Sequence, residues 1–358
     1  MRTLSVVGAR PNFVKMAPVL AALRARLPEG EHRLVHTGQH YDASMSEDFL
    51  AELHIGEPDH RLGVGSGSHA AQTARVMERL EPLLEAERPD LVLVGGDVNS
   101  TLATALVAVK LGIPLAHVES GLRSFDLTMP EEANRIVADR FAELLFIHSD
   151  EAAANLRAEG LPGDRIHAVG NTMIDALVAA ERRFRAARAA ERLGLEPGSY
   201  LLVTLHRPAL VDGPLLTEVM ARLAAVAGSL PVLFPVHPRT RARLAGSRAA
   251  QGVRCVDPLP YVDFLSLQAD AGAVLTDSGG VQEETTYLGV PCFTLRANTE
   301  RPVTVRAGTN TLLGLEPARI AEIPALLAAR GPAPPPPPGW DGHAGERIAG
   351  IVAGRLGA

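Results

Sequence analysis

Short runs of β-branched and aliphatic residues recur along the chain. Each is followed by a polar turn and then by apolar positions at helical spacing. In the first half the runs are Leu4–Val7, Leu34–Thr37, Leu91–Val94, Leu115–Val118 and Leu144–Ile147, with helical patterns near 13–27, 44–53, 69–87, 100–111 and 131–142. The runs are apolar throughout, which predicts strands buried on both faces, as in a parallel sheet. Strand and helix in alternation predict a doubly wound, Rossmann-like α/β layer structure. The second half repeats the theme with Leu201–Leu205, Val232–Val236, Val253–Val256, Ala273–Thr276 and Pro291–Leu295. A strand at Ile166–Val169, then Gly170, leads into a helix near 171–188 that is the expected bridge between the halves. The proline run in Gly331–Gly339 reads as a stiff polyproline spacer, and the closing segment 341–357 looks helical.

Length sharpens this picture. At 358 residues the chain exceeds what one core usually serves. Two Rossmann-like domains are expected, 1–170 and 171–340, followed by a C-terminal helix, 341–358, free to pack back on the first domain. Aromatic residues are only 4%, so the cores must be built from Val, Leu, Ala and Ile. The net charge of -6, with both signs scattered, argues against a nucleic-acid partner, which would call for a basic face. Cys255 and Cys292 each sit in an apolar run and read as reduced core residues, and no Cys/His cluster has metal-ligand spacing. No apolar run approaches the length of a membrane span, and a cytoplasmic location is expected.

In parallel α/β sheets, ligands bind beyond the carboxyl ends of the strands, so the polar residues there carry the chemistry. After the first strand, Gly8-Ala9-Arg10-Pro11 turns into a helix. Arg10 is placed to grip a phosphate or sugar, and Lys15 lies off the apolar stripe of Phe13, Val14, Ala17 and Leu20. Lys15 reads equally well as a solvated surface residue. Asp97 follows Gly95-Gly96, where a plain helix cap would also explain it. Glu119 and Arg123 follow the strand ending at Val118, and Pro130-Glu131-Glu132 opens a helix with favourable charges for its dipole. His206-Arg207 and His237 with Arg239 sit at strand ends in the second half. The most pointed signal is Asp277-Ser278-Gly279-Gly280, between a strand and a helix. Two glycines let a ligand approach the backbone, and the helix start favours an anion. Ser278 adds a hydroxyl, and the carboxylates just beyond, Glu283 and Glu284, are placed to take a ribose diol.

Taken together the segments resemble the non-hydrolysing UDP-N-acetylglucosamine 2-epimerases, from about residue 3 to about residue 330. The matching motifs are Gly8 to Pro18, Gly96-Asp97 with Thr101–Thr104, His117 to Arg123, Pro130 to Arg135, Gly170 to Asp175, Thr204 to Arg207, Thr276 to Glu284 and Thr299 to Pro302. The resemblance implies a glycosyltransferase-B type of fold, two Rossmann-like domains facing a cleft, and a homodimer. It implies inversion at C2 of UDP-GlcNAc to UDP-ManNAc by elimination and re-addition of UDP through 2-acetamidoglucal, with no cofactor and no metal, in the service of cell-surface polysaccharide synthesis. Asp97, Glu119 and Glu131 match the family's acidic trio. The division of proton transfer among them stays open, with Asp97 and Glu119 expected to lead. Lys15 and His206 match the basic members expected to stabilise departing UDP. Arg10, His237, Arg239, Ser278, Gly279, Gly280 and Glu284 are expected to bind substrate, with Glu284 on the ribose.

Three segments depart from the family pattern. His206-Arg207 is followed by Pro208-Ala209-Leu210-Val211-Asp212, where many members carry a second Arg and a Glu-Asn. Gln39-His40 continues as Tyr41-Asp42, so the set that holds a second, activating UDP-GlcNAc in some bacterial members is incomplete. Met129 precedes Pro130 in place of an aromatic residue. Alternatives left open are a 2-epimerase of a more decorated UDP-sugar, a UDP-sugar glycosyltransferase of the same fold, a hydrolysing relative and a non-catalytic UDP-sugar sensor.

Overall fold

The computed structural model describes residues 1–39, 50–236, 238–244 and 251–357. The chain divides into two compact units, Met1–Ala179 with Pro338–Ala358, and Ala180–Pro337. Each is built on its own parallel sheet.

In the first unit the strands are β1 (Arg2–Val7), β2 (Glu31–His36), β3 (His60–Arg61), β4 (Leu91–Gly95), β5 (Leu115–Val118), β6 (Leu144–Ile147) and β7 (Ile166–Ala168). They lie in the order β3-β2-β1-β4-β5-β6-β7. β1 is an interior strand, with Val6 paired to Val35 on one side and Val94 on the other. Leu4, Val6, Val35, Val92, Val94 and Leu145 are buried in one apolar layer, and the intervening Leu34, Leu93 and Phe146 are buried as well, which is why these strands are apolar without alternation. The second unit repeats the plan with β8 (Leu201–Thr204), β9 (Val232–Pro235), β10 (Val253–Val256), β11 (Ala273–Thr276), β12 (Cys292–Thr294) and β13 (Asn310–Leu312), in the order β10-β9-β8-β11-β12-β13. In both sheets the strand order reverses beside the first strand, between β1 and β4 and between β8 and β11. That reversal is the switch point where a parallel sheet opens a crevice at its carboxyl edge.

The strands expected from the sequence are present to within a residue or three at either end. The additional strands β3 and β13 are short sheet edges, His60–Arg61 and Asn310–Leu312, with no apolar run to mark them. The helical patterns near 69–87, 100–111 and 131–142 are the helices His69–Glu87, Asn99–Leu111 and Pro130–Phe141. Most of the pattern near 44–53 lies outside the described residues, with residues 50–52 helical. The proline run, 331–337, is neither helix nor strand. Among the described residues no helix is long and apolar enough to cross a membrane.

The last helix, Ala344–Leu356, belongs to the first unit and packs on the helix Arg10–Arg26. Its start is fixed from a distance: the Asp175 carboxylate accepts the N–H groups of Ala344 and Gly345, at 3.1 and 2.7 Å. The indole Nε1 of buried Trp340 donates to the His148 carbonyl at 3.0 Å. Gly345 lies so close to the neighbouring helix that a Cβ there would stand 2.6 Å from the Pro18 carbonyl oxygen.

Candidate active site

In the first unit, Asn12 ties the ends of β1 and β4 together. Its Oδ1 accepts the N–H groups of Gly8 and Ala9, at 3.3 and 3.2 Å, and its Nδ2 donates to the Gly95 carbonyl at 2.5 Å. One turn further along the helix Arg10–Arg26 is Lys15. It is 4% exposed, not a solvated surface residue, and its Nζ lies 2.7 Å from Glu119 Oε1. Glu119 is 6% exposed and holds φ at +68°, in the left-handed region that side chains other than glycine rarely adopt. Gly96, at φ +66°, runs directly past this pair, and a Cβ there would stand 2.7 Å from Lys15 Nζ. The chain thus needs glycine where β4 ends so that lysine and glutamate can meet.

Asp97 does not cap the next helix. Val98 is the cap residue of Asn99–Leu111, and no side-chain cap bond is made there. Instead the Asp97 carboxylate, 21% exposed, pairs with the Arg135 guanidinium, and its carbonyl accepts from Asn134 Nδ2 at 2.8 Å. Glu131 is half-buried in the first turn of the helix Pro130–Phe141. Its neighbour Glu132, read from sequence as a helix-dipole charge, is the one buried against Arg135, at 2.6 Å. Arg10 is exposed at the helix start.

Behind Glu119 is a layer of fully buried charge. His117 Nδ1 lies 2.7 Å from Asp139 Oδ1, and its Nε2 lies 2.8 Å from the Gly96 carbonyl. Asp139 also accepts the Gly121 N–H at 3.1 Å and pairs with Arg123 at 2.7 Å. Burial alone would raise the Asp139 carboxyl, but His117 and Arg123 outweigh it and hold it below its usual value. The loop carrying Glu119 is thereby clamped on both sides.

In the second unit the reversal between β8 and β11 carries the second group. Buried Asp277 accepts the N–H groups of His206 and Arg207, at 2.9 and 2.7 Å, and stands 2.8 Å from His206 Nδ1. Burial pushes its carboxyl up, yet the His206 ring and the two N–H groups prevail and hold it below the ordinary carboxylate value. Asp277 therefore binds the end of β8 to the end of β11, and His206 stands more than half exposed beside it. Ser278 is the cap residue of the helix Gly279–Leu288 but makes no side-chain cap bond, so its hydroxyl is not spent on the helix start. Gly279 is packed on Arg301: a Cβ there would lie 2.2 Å from Nη1. Arg301 in turn pairs with Glu283 at 3.0 Å, both buried. Glu284 is buried with the Tyr261 hydroxyl 3.4 Å from Oε1, and burial pushes its carboxyl up to about 7, with Gln268 and Tyr261 only partly offsetting it. His237 lies outside the described residues, as does His40. Arg239 falls in the helix Pro238–Leu244, but its side chain is outside the described set.

The structure thus gathers Lys15, Asp97 and Glu119 at one switch point, and His206 with Ser278–Gly280 at the other. Sequence reasoning passed over Glu132, Arg135, Asp139 and Arg301 as contributors. The available signal was the spacing of Glu132 and Arg135 three residues apart, which puts them on one helix face.

The profile of the UDP-N-acetylglucosamine 2-epimerase family matches residues 22–353. A UDP-N-acetylglucosamine 2-epimerase of Methanococcus maripaludis is 38% identical over 98% of this chain and 97% of its own. A UDP-2,3-diacetamido-2,3-dideoxy-D-glucuronate 2-epimerase of Pseudomonas aeruginosa is 41% identical over 90% of this chain and 91% of its own. The crystal structure of Methanocaldococcus jannaschii UDP-GlcNAc 2-epimerase in complex with UDP-GlcNAc and UDP superposes with a TM-score of 0.86 at 37% identity, covering 99% of each chain. The paired Rossmann-like sheets are of the glycosyltransferase-B class, as the sequence led us to expect. With the profile spanning nearly the whole chain and relatives matched end to end, this protein belongs to the UDP-N-acetylglucosamine 2-epimerase family.

Proposed function

We propose that the enzyme interconverts UDP-N-acetylglucosamine and UDP-N-acetylmannosamine. The C1–O bond breaks with its electron pair leaving on UDP, while the C2 proton passes to a carboxylate. The resulting 2-acetamidoglucal is then protonated at C2 on the opposite face, and the UDP oxygen adds back at C1. The observation that carries the chemistry is the buried Lys15–Glu119 pair at 2.7 Å, seated on a left-handed residue beside the turn that presents Asp97. Strained backbone persists where the surroundings over-determine it, as at reacting sites.

In this reading Asp97 and Glu119 lead the proton transfer, with Glu131 in support. Lys15 and His206 stabilise the charge of departing UDP. Arg10, His237, Arg239 and the helix start at Ser278, Gly279 and Gly280 hold the substrate, and Glu284 takes the ribose. The reading extends to a cytoplasmic homodimer that feeds cell-surface polysaccharide synthesis.

The test is incubation with UDP-GlcNAc in D₂O, followed at sugar C2 by NMR. Deuterium entering C2 as UDP-ManNAc appears is the expected result. Unchanged UDP-GlcNAc with no UDP released rules the proposal out. Asp97→Asn is expected to slow exchange by on the order of 10²–10⁴-fold with UDP binding nearly intact. Binding that falls in step with exchange would make Asp97 a structural residue.

A second reading draws on the Pseudomonas relative, which is 41% identical over 90% of this chain. In that reading the substrate is a 2-acetamido UDP-sugar with further decoration at C3 or C6. Parallel assays of both sugars decide it by their kcat/KM ratio.

A further inference from the structure

Arg135 is 2% exposed, and two of its partners are carboxylates, Asp97 and, one turn back on its own helix, Glu132. Nη1 contacts Asp97 Oδ2, while Nε and Nη2 reach Glu132 Oε2 at 3.0 and 2.6 Å. The other side of Glu132 is committed as well. Its carboxylate accepts the N–H of Ser124 at 3.1 and 3.0 Å, the Ser124 hydroxyl at 3.0 Å and the N–H of Phe125 at 2.8 Å. Burial pushes the Glu132 carboxyl up, but the Ser124 and Phe125 N–H groups and the Arg135 charge hold it below the usual carboxylate range. Phe125 sits at φ +59° and the residue is 79% exposed, so the turn is held by its backbone and not by packing of the ring. Asp126 stiffens the same turn, accepting the N–H of Thr128 at 2.9 Å and its hydroxyl at 2.6 Å.

A buried, doubly committed Glu–Arg pair ending on a partly exposed aspartate is not explained by stability. Such a pair costs much of its attraction in desolvation, and apolar residues of similar volume commonly serve a fold at least as well. Its distinguishing property is geometry: a guanidinium is a rigid fork that can hold two carboxylates at a fixed angle, which an ammonium cannot.

We infer that Glu132 and Arg135 form a buried strut that sets the position of Asp97 and locks it to the turn at Ser124–Phe125, making both of them positioning residues for proton transfer at C2. This rests on the reading of Asp97 as a proton-transfer group. Neither residue touches the reacting atoms. A strut of this kind acts on the transition state alone, so its loss lowers kcat while leaving KM in place.

The decisive variant is Arg135→Lys in the full chain, assayed with UDP-GlcNAc for C2 exchange and for kcat and KM, with a thermal melt alongside. Expected is a fall in kcat of about 10- to 100-fold with KM within about twofold, at a melting midpoint that leaves the enzyme folded at the assay temperature. Glu132→Gln, which keeps an acceptor for the Ser124 and Phe125 N–H groups but loses the charge facing Arg135, is expected to do the same. It serves as the test if Arg135→Lys does not fold. Wild-type kcat in the folded variants overturns the strut, as does a change confined to KM or a loss of rate that only tracks loss of folded protein. The underlying reading fails separately: full exchange in Asp97→Asn removes Asp97 from the chemistry whatever the Arg135 variant does.

Discussion

At the scale of single residues, the site is built from groups that cost stability. Glu119 in the left-handed region costs of order 1–3 kcal/mol, and Lys15 loses hydration that its partner carboxylate at 2.7 Å offsets. Glu284 gives the sharpest expectation. Its carboxyl titrates at about 7, against an ordinary value of 4.5, because it is buried. The sign for stability is that of a raised group: its contribution is fully present below the unfolded value and is lost as pH rises through about 7. If ribose hydroxyls donate to this carboxylate, binding favours the ionised form. UDP affinity should therefore rise with pH up to about 7 by as much as about tenfold per unit and level off above it. Isothermal titration from pH 5.5 to 8 checks the slope, and Glu284→Gln should flatten it. A wild-type profile without slope takes Glu284 off the ribose.

At the scale of elements, each switch point is tied by one side chain that spans two strand ends, Asn12 for β1 and β4 and Asp277 for β8 and β11. The helix start at Gly279 rests on the Arg301–Glu283 pair. Gly279→Ala sets two effects against each other. Alanine gains about 1 kcal/mol in helix propensity. Its Cβ, however, would lie 2.2 Å from Arg301 Nη1 and 2.9 Å from Glu300 Oε1, and disrupting a buried pair costs about 3–5 kcal/mol. The clash prevails, so the variant should melt lower and bind UDP at least about tenfold more weakly. A variant as stable as the parent would show that Arg301 moves aside freely.

At the scale of the whole molecule, two parallel sheets of seven and six strands reverse their order in the same way and present the candidate site residues at the same topological place. The first unit is completed by the chain's last helix, Ala344–Leu356, through Asp175, Trp340 and Gly345. Gly345→Val would drive a Cβ to within 2.6 Å of the Pro18 carbonyl, a backbone atom with no rotamer to escape to. A loss of about 1–3 kcal/mol is expected in urea unfolding of the full chain.

What the sequence determined by itself is whatever depends on local pattern. Apolar runs that do not alternate made buried parallel strands, and turns rich in glycine with polar residues after each strand marked the carboxyl edges where Lys15, Asp97, Glu119, His206 and Ser278 stand. β3 and β13 escaped because edge strands of two and three residues leave no periodicity to read. The tertiary structure alone decided who meets whom. Lys15 and Glu119 are 104 positions apart, and Arg135 reaches Asp97 across 38. A charged side chain looks the same in sequence whether it is solvated or buried against its partner. Only the close approach permitted by Gly96, and the left-handed turn at Glu119, turned two unremarkable charges into one site.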